Sequence, residues 1–179
     1  RNSKYYRLVR KRPVQSVVDE LRMLSETYGI GSIMFFDDEL NLDDTYVKNL
    51  CRALVPLGMK FRGFIKANLL TDAQTALFAE AGVVQLCTGV EAGSDYILKV
   101  IEKKTTREIN KKFVDLCHEH GISAKAFMSI GQAGETYETA MSVKEWLLWA
   151  RPNEFDVTVI TPYPSTPYWD ERQYVGEQQ

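Results

Sequence analysis

The chain has 179 residues, 26% of them charged, and a formal net charge of −2, enough for one domain with a real core and too little for two. That balance leaves no sustained basic stripe for nucleic acid, and no apolar run reaches membrane-spanning length or has the form of a signal peptide. Cys51, Cys87 and Cys117 are widely spaced and odd in number, which points to free thiols in a reducing cytoplasm rather than a disulfide scaffold.

The first residues, Lys4 to Arg12, form a basic cluster that reads as a solvated arm. The sequence opens inside a polar segment without an initiator Met, as an excised fragment would. Pro13 suits a first helical turn, and Val14, Val17, Val18, Leu21 and Leu24 recur at helical spacing until Gly29. "SIMFF" (Ser32 to Phe36) is short and apolar, as a buried strand is. Asp43-Asp44 can cap a helix carrying Val47, Leu50, Cys51 and Leu54 that ends near Gly58. "FRGFIKA" (Phe61 to Ala67) is the next predicted strand, and Thr71-Asp72 caps a helix that stops at Gly82. "VVQLCTGV" (Val83 to Val90) is strand, Ser94 caps a short helix through Ile101, and Thr105 with Glu108 forms a capping box for a helix ending at Gly121. "AKAFMSI" is strand, Thr136 to Ala150 helix, and "FDVTVI" (Phe155 to Ile160) the last strand before the Pro-rich "TPYPSTPYWD".

Strands alternating with helices predict a parallel α/β sheet, either doubly wound or a barrel or partial barrel. Strand alternation bears on the choice. Arg62, Phe64, Lys66 and Asn68 share one face of their strand; Gln85, Cys87, Gly89 and Glu91 share one face of the next. Lys125, Phe127 and Ser129 follow, then Asp156 and Thr158. A sheet buried on both faces would be nearly continuous Val, Ile and Leu. One apolar and one charged face fit an incomplete barrel with a ligand-holding lumen. The alternative is that these charges pair with one another.

Ligands in either architecture bind at the carboxyl ends of the strands. Those ends carry Asp37, Asp38 and Glu39; Lys66 and Asn68; Glu91 and Ser94; "SIGQAGET" with Gly131 and Gly134; and "TPYPSTP". The glycine turn lacks the Lys-Ser or Lys-Thr of a phosphate loop, having Glu135-Thr136. Metal ligation lacks partners, because His118 and His120 are two apart near a helix end and point to different faces. Cys117 reads as a core thiol, and no Ser-His-Asp pattern or nucleophile elbow is present.

Four segments in order, "FFDDEL", "KANLLTD" with "EAGV", "TGVEAGSDYILKVIEKKTT", and "SIGQAGETYET" with "TPYPSTPYWD", resemble the radical S-adenosylmethionine superfamily. The likeness is strongest to members with an accessory cobalamin-binding domain, and it covers essentially the whole chain. The resemblance implies a partial six-stranded parallel (β/α) barrel of which about five strands are present. It implies that Asp37, Asp38 or Glu39 faces the ammonium of S-adenosylmethionine, and that Lys66 and Asn68 make polar cofactor contacts. By the same likeness Glu91 accepts the ribose hydroxyls, Lys103 pairs with the cofactor carboxylate, Gly131 and Gly134 hold the adenosyl group, and Ser129 is a further cofactor-binding residue. Tyr163 would shape the substrate side, while Ser165 stands where relatives have glycine.

The family's Cys-x3-Cys-x2-Cys motif is absent, and Cys51, Cys87 and Cys117 do not have its spacing. The expectation is therefore a fragment that lacks the cluster-binding first strand and holds no metal, with an unpaired edge inviting self-association. In the intact enzyme, as the resemblance implies, a [4Fe–4S] cluster generates a 5′-deoxyadenosyl radical, with cobalamin bound by a preceding domain of the same polypeptide. No membrane partner is expected and nucleic acid is disfavoured; the substrate stays open. The competing expectation is a non-catalytic α/β barrel that binds an adenosyl compound or serves as a scaffold.

Overall fold

Helix ends follow from local chemistry in this computed structural model, which describes residues 10–164. Helix α1 (Val14–Tyr28) starts directly after Pro13 and stops at Gly29, whose φ of 67° is left-handed. Strand β1 (Ser32–Phe35) leads to α2 (Asp44–Leu54), where the Asp43 carboxylate accepts the Tyr46 N–H at 2.8 Å. Then come β2 (Lys60–Phe64), α3 (Asp72–Glu80), β3 (Val83–Glu91), α4 (Asp95–Val100) and α5 (Arg107–Glu119). Strand β4 (Ser123–Ile130), α6 (Tyr137–Ala150) and β5 (Glu154–Val159) complete the order.

All four pairings among the described residues are parallel, and the strands lie in the order β1-β2-β3-β4-β5. A doubly wound sheet reverses its strand order at a switch point. This one never does, so it is a sector of an open barrel. The outward residues Phe61, Ile65, Leu86, Val90, Ala124 and Met128 form the core with the helices. Trp146 of α6 is fully buried there, its indole N–H donating to the Arg107 carbonyl at 3.1 Å.

The register brings the polar residues onto one continuous inner face: Met34 beside Arg62, Arg62 beside Gln85, Cys87 beside Lys125, and Phe127 beside Asp156. The lower part of this face pairs with itself, as the alternative to a ligand-holding lumen supposed. Lys125 Nζ lies 3.0 Å from Asp156 and 3.5 Å from Glu154, and Gln85 donates to Glu154 at 2.7 Å. At the carboxyl rim a cavity remains.

Several sequence expectations are corrected. β1 is an edge, not a buried strand: it has one neighbour among the described strands, and Phe36 just after it is 81% exposed. β2 ends at Phe64 because the Asn41 side chain takes both backbone groups of Lys66, accepting its N–H at 2.8 Å and donating to its carbonyl at 3.1 Å. Thr106, not Thr105, caps α5, accepting the Ile109 N–H at 3.2 Å; Thr105 donates to Asn110 instead. Ser94 holds the cap position of α4 without a side-chain cap bond. The basic arm is docked at its end, Lys11 pairing with Asp43 and the Tyr46 hydroxyl donating to the Arg12 carbonyl at 3.0 Å. Residues 1–9 and the tail from Ser165 lie outside the described residues. Among the described residues no helix is long and apolar enough to cross a membrane.

Candidate functional site

The end of β3 departs from regular strand geometry. Its register with β4 shifts between Gly89 and Glu91, and Glu91 sits at φ 68°. Glu102 (54°) and Lys104 (56°), which flank Lys103, are also left-handed. For residues other than glycine such conformations cost about 1–3 kcal/mol each and persist only where the surroundings enforce them. Three of them converge on one ion pair, Lys103 Nζ to Glu91 Oε1 at 2.8 Å. The pair is about one-third exposed on each side, so it stabilises the fold by no more than about 1 kcal/mol. Strain of this size is not offset by that contact.

Gly89 makes the arrangement possible. A Cβ there would lie 2.5 Å from Glu91 Oε1 and 2.9 Å from Lys103 Nζ, so the two side chains fold over the strand only because it is bare. From β4, the Ser129 hydroxyl lies 3.2 Å from both Glu91 Oε2 and the Glu91 carbonyl, and Gln132 Nε2 donates to Ser129. Past β4 comes the glycine turn, with Gly131 at φ 85° and Gly134 at 75°. The turn is closed by its own glutamate: the Gly131 N–H donates to Glu135 Oε2, while the buried Glu135 Oε1 has no hydrogen-bond partner among the described residues. Thr136 then caps α6 in a capping box with Thr139.

Beside the ion pair lies a cavity of about 550 Å³ lined by Asp38, Glu39, Lys66, Asn68 and Lys103, among others. Lys66 Nζ lies 3.3 Å from Glu39, and Asn68 donates to the Lys104 carbonyl at 3.1 Å, tying the end of β2 to the strained loop. The structure thus brings Asp38, Glu39, Lys66, Asn68, Glu91, Lys103 and Ser129 to one rim, with Gly131 and Gly134 on the adjoining turn. Asp37 is not with them: it lines a second cavity of about 170 Å³ with Arg12 and Tyr46, and Glu39 borders both cavities. Tyr163 is 71% exposed beyond β5 and is not among the residues lining the larger cavity. Sequence reasoning missed Gly89, Asn41, Gln132 and Glu135. A glycine inside a strand was the available signal for Gly89; Asn41 acts on residues 25 positions away, which no local pattern reveals.

All three cysteines are buried. Burial pushes the Cys51 and Cys117 thiols up to about 12 and raises Cys87 as well. Among the described residues no group of three or more His, Cys, Asp and Glu could hold a metal ion. His118 and His120 go separate ways, to Asn153 at 3.1 Å and Asp72 at 2.7 Å. Anaerobic reconstitution of the chain with iron and sulfide is therefore expected to give no stoichiometric four-iron cluster by metal analysis and visible spectrum. A stable cluster signal would show that these buried thiols can be mobilised as ligands.

The model of the radical SAM superfamily matches residues 1–147. The chain is 26% identical over 172 residues to the anaerobic magnesium-protoporphyrin IX monomethyl ester cyclase of Rubrivivax gelatinosus, covering 94% of this chain and 31% of that protein. It is 29% identical over 139 residues to the cytidylyl-2-hydroxyethylphosphonate methyltransferase of Streptomyces wedmorensis, covering 73% and 26%. The structure is similar to the radical S-adenosylmethionine methyltransferase TsrM of Kitasatospora setae, solved with cobalamin and a [4Fe–4S] cluster bound. The TM-score is 0.79 and the identity 26%, over 88% of this chain and 33% of that one. The chain spans about a quarter to a third of the length of these relatives. With a family match over most of its length and the open parallel barrel sector to go with it, the chain belongs to the radical SAM superfamily.

Proposed function

We propose that this chain is the carboxyl-terminal part of the barrel of a radical S-adenosylmethionine enzyme of methyltransferase or cyclase type. In this reading the rim of β3 and β4 binds S-adenosylmethionine. The observation that carries the reading is the convergence of three strained residues on the Lys103–Glu91 pair, beside a glycine turn that keeps a buried carboxylate oxygen unpartnered. The donor set suits the cofactor. Glu91 offers an ionised acceptor to two ribose hydroxyls, Lys103 an ammonium to the methionyl carboxylate, and Glu135 Oε1 an acceptor to a donor on the adenosyl group. Ser129 holds the Glu91 carboxylate in place. Gly131 and Gly134 let backbone approach where a Cβ would not. The cofactor ammonium falls to Asp38 or Glu39, which line the cavity with Lys103 (Glu39 bordering the second cavity as well), and not to Asp37, which lines the second one without the first. Lys66 and Asn68 line the same cavity as polar contacts, and Tyr163 borders the substrate side.

When bound, the cofactors supply the radical and methyl-transfer chemistry, and the polypeptide orients and excludes water. The described residues do not fit an iron–sulfur cluster. In this reading its cysteines, the first strand and a cobalamin-binding domain belong to a longer polypeptide that contains this chain. That polypeptide, purified anaerobically and given S-adenosylmethionine and a reductant, should turn the cofactor over to 5′-deoxyadenosine or to a methylated product with S-adenosylhomocysteine. Neither product from a preparation holding the cluster would leave a non-catalytic adenosyl-binding barrel.

The chain by itself should self-associate. β1 and β5 each have one neighbour among the described strands, and exposed strand backbone templates pairing. Phe155, Val157 and Val159 of β5 are also exposed. A clean monomer by light scattering across a wide concentration range would contradict this.

A further inference from the structure

Between the paired charges low on the inner face and the Glu91 site at the rim lies a layer of a different kind. Phe64 of β2 and Phe127 of β4 are on this face with ring centroids 5.9 Å apart, and Phe36, at the end of β1, is 6.5 Å from Phe64. Strand β3 contributes Cys87 and Gly89 between them, which leaves room for rings from β2 and β4 to meet across it. Lys125 lies below, its Nζ 5.4 Å from the Phe127 centroid. Apolar rings belong on the outer face of this sheet, against the helices. Three on the polar face, one of them largely exposed, form a surface with no counterpart among the described residues.

One cation next to this row stands apart from its neighbours. Arg62 precedes Phe64 by one pleat on the same face. Lys125, Lys66 and Lys103 each have a carboxylate partner. No described carboxylate forms a salt bridge with Arg62, whose Nε is buried without a partner; its polar neighbour is the Cys87 thiol. A guanidinium with a buried unsatisfied N–H costs stability unless an acceptor reaches it, and its planar fork suits a carboxylate or another oxyanion.

We propose that the Phe36–Phe64–Phe127 row with Arg62 is the substrate subsite, and that it takes a planar aromatic group bearing an acid. The aromatic body lies on the rings and the acid reaches Arg62. This deepens the proposed function and rests on it, since the row lies directly below the rim assigned to S-adenosylmethionine.

The test uses calorimetric titration of the chain with 2-naphthoate, its uncharged amide 2-naphthamide, and the saturated decahydronaphthalene-2-carboxylate. S-adenosylhomocysteine is titrated in parallel. The acid should bind about ten- to a hundredfold tighter than the amide, and about two- to tenfold tighter than the saturated acid. Arg62→Met should abolish the first preference and keep the second. Phe127→Leu, or Phe64→Leu where the first variant melts early, should abolish the second and keep the first. Equal binding of the acid and its amide by the unmodified chain, or preferences that survive these substitutions, would overturn the proposal. S-adenosylhomocysteine separates the two ideas: its binding without naphthoate binding overturns the subsite alone. Naphthoate binding with both preferences but no S-adenosylhomocysteine binding keeps the subsite and overturns the cofactor reading.

Discussion

Replacing Glu91 by Gln or Lys103 by Met is expected to weaken S-adenosylmethionine binding by about ten- to a hundredfold, the range of one charge-assisted hydrogen bond of roughly 1.5–3 kcal/mol. Without cofactor the two residues pair with each other at 2.8 Å, so each is also a structural partner of the other. That pair is about a third exposed on both sides, and exposed pairs contribute about 0–1 kcal/mol. The thermal midpoint of the cofactor-free chain should therefore move by no more than about 4 °C for a protein of this size. The two effects separate the roles. A large loss of affinity with a nearly constant midpoint identifies ligands. Unchanged affinity with a midpoint lowered by many degrees identifies a structural ion pair, and would remove the strained loop at Lys103 from the site.

The largest stability effect is expected at Gly93. It lies in the loop after Glu91, pressed on the backbone of α6: a Cβ there would be 2.0 Å from the Ser142 carbonyl oxygen and 2.6 Å from the Val143 nitrogen. Backbone cannot move aside as a flexible side chain can. Gly93→Ala should lower stability by about 3 kcal/mol or more, a fall in midpoint of about 6–12 °C. Gly31 supplies the control. It has ordinary backbone geometry and nothing within 4 Å of an added Cβ, so Gly31→Ala should leave the midpoint within about 2 °C. Equal losses at the two positions would mean that α6 yields to the loop and that the close approach is not needed.

What could be read in advance follows from the range of the interactions involved. Asp43 and Thr71 cap their helices as expected, because a cap is settled within three residues. The polar and apolar faces of β2 and β3 were legible because side chains alternate along a strand. The preference for an incomplete barrel rested on that alternation and on the family resemblance, and the strand order β1-β2-β3-β4-β5 agrees with it. The pairing of Lys125 with Asp156 and Glu154 joins residues about thirty positions apart, and Asn41 clips Lys66 across 25. No local pattern contains either. At Thr105 and Thr106, two equivalent cap candidates stand side by side, and the hydrogen bond from Thr105 to Asn110 decides between them. The rim was recognisable as a set of segments. The separation of Asp37 from Asp38 was not, because both lie beyond the end of β1, where strand alternation no longer sets direction.

The proposed S-adenosylmethionine site is the rim of β3 and β4. Its most direct test is a nitrogen-15 amide spectrum of the chain titrated with S-adenosylhomocysteine, which keeps the adenosyl, carboxylate and ammonium groups. Saturable shifts should centre on Glu91, Lys103, Ser129, Gly131 and Gly134, with the amides of His118 and Asn153 at the opposite end of the sheet unmoved. No saturable shift, or shifts centred on the Arg12, Asp37 and Tyr46 cavity, would contradict the assignment.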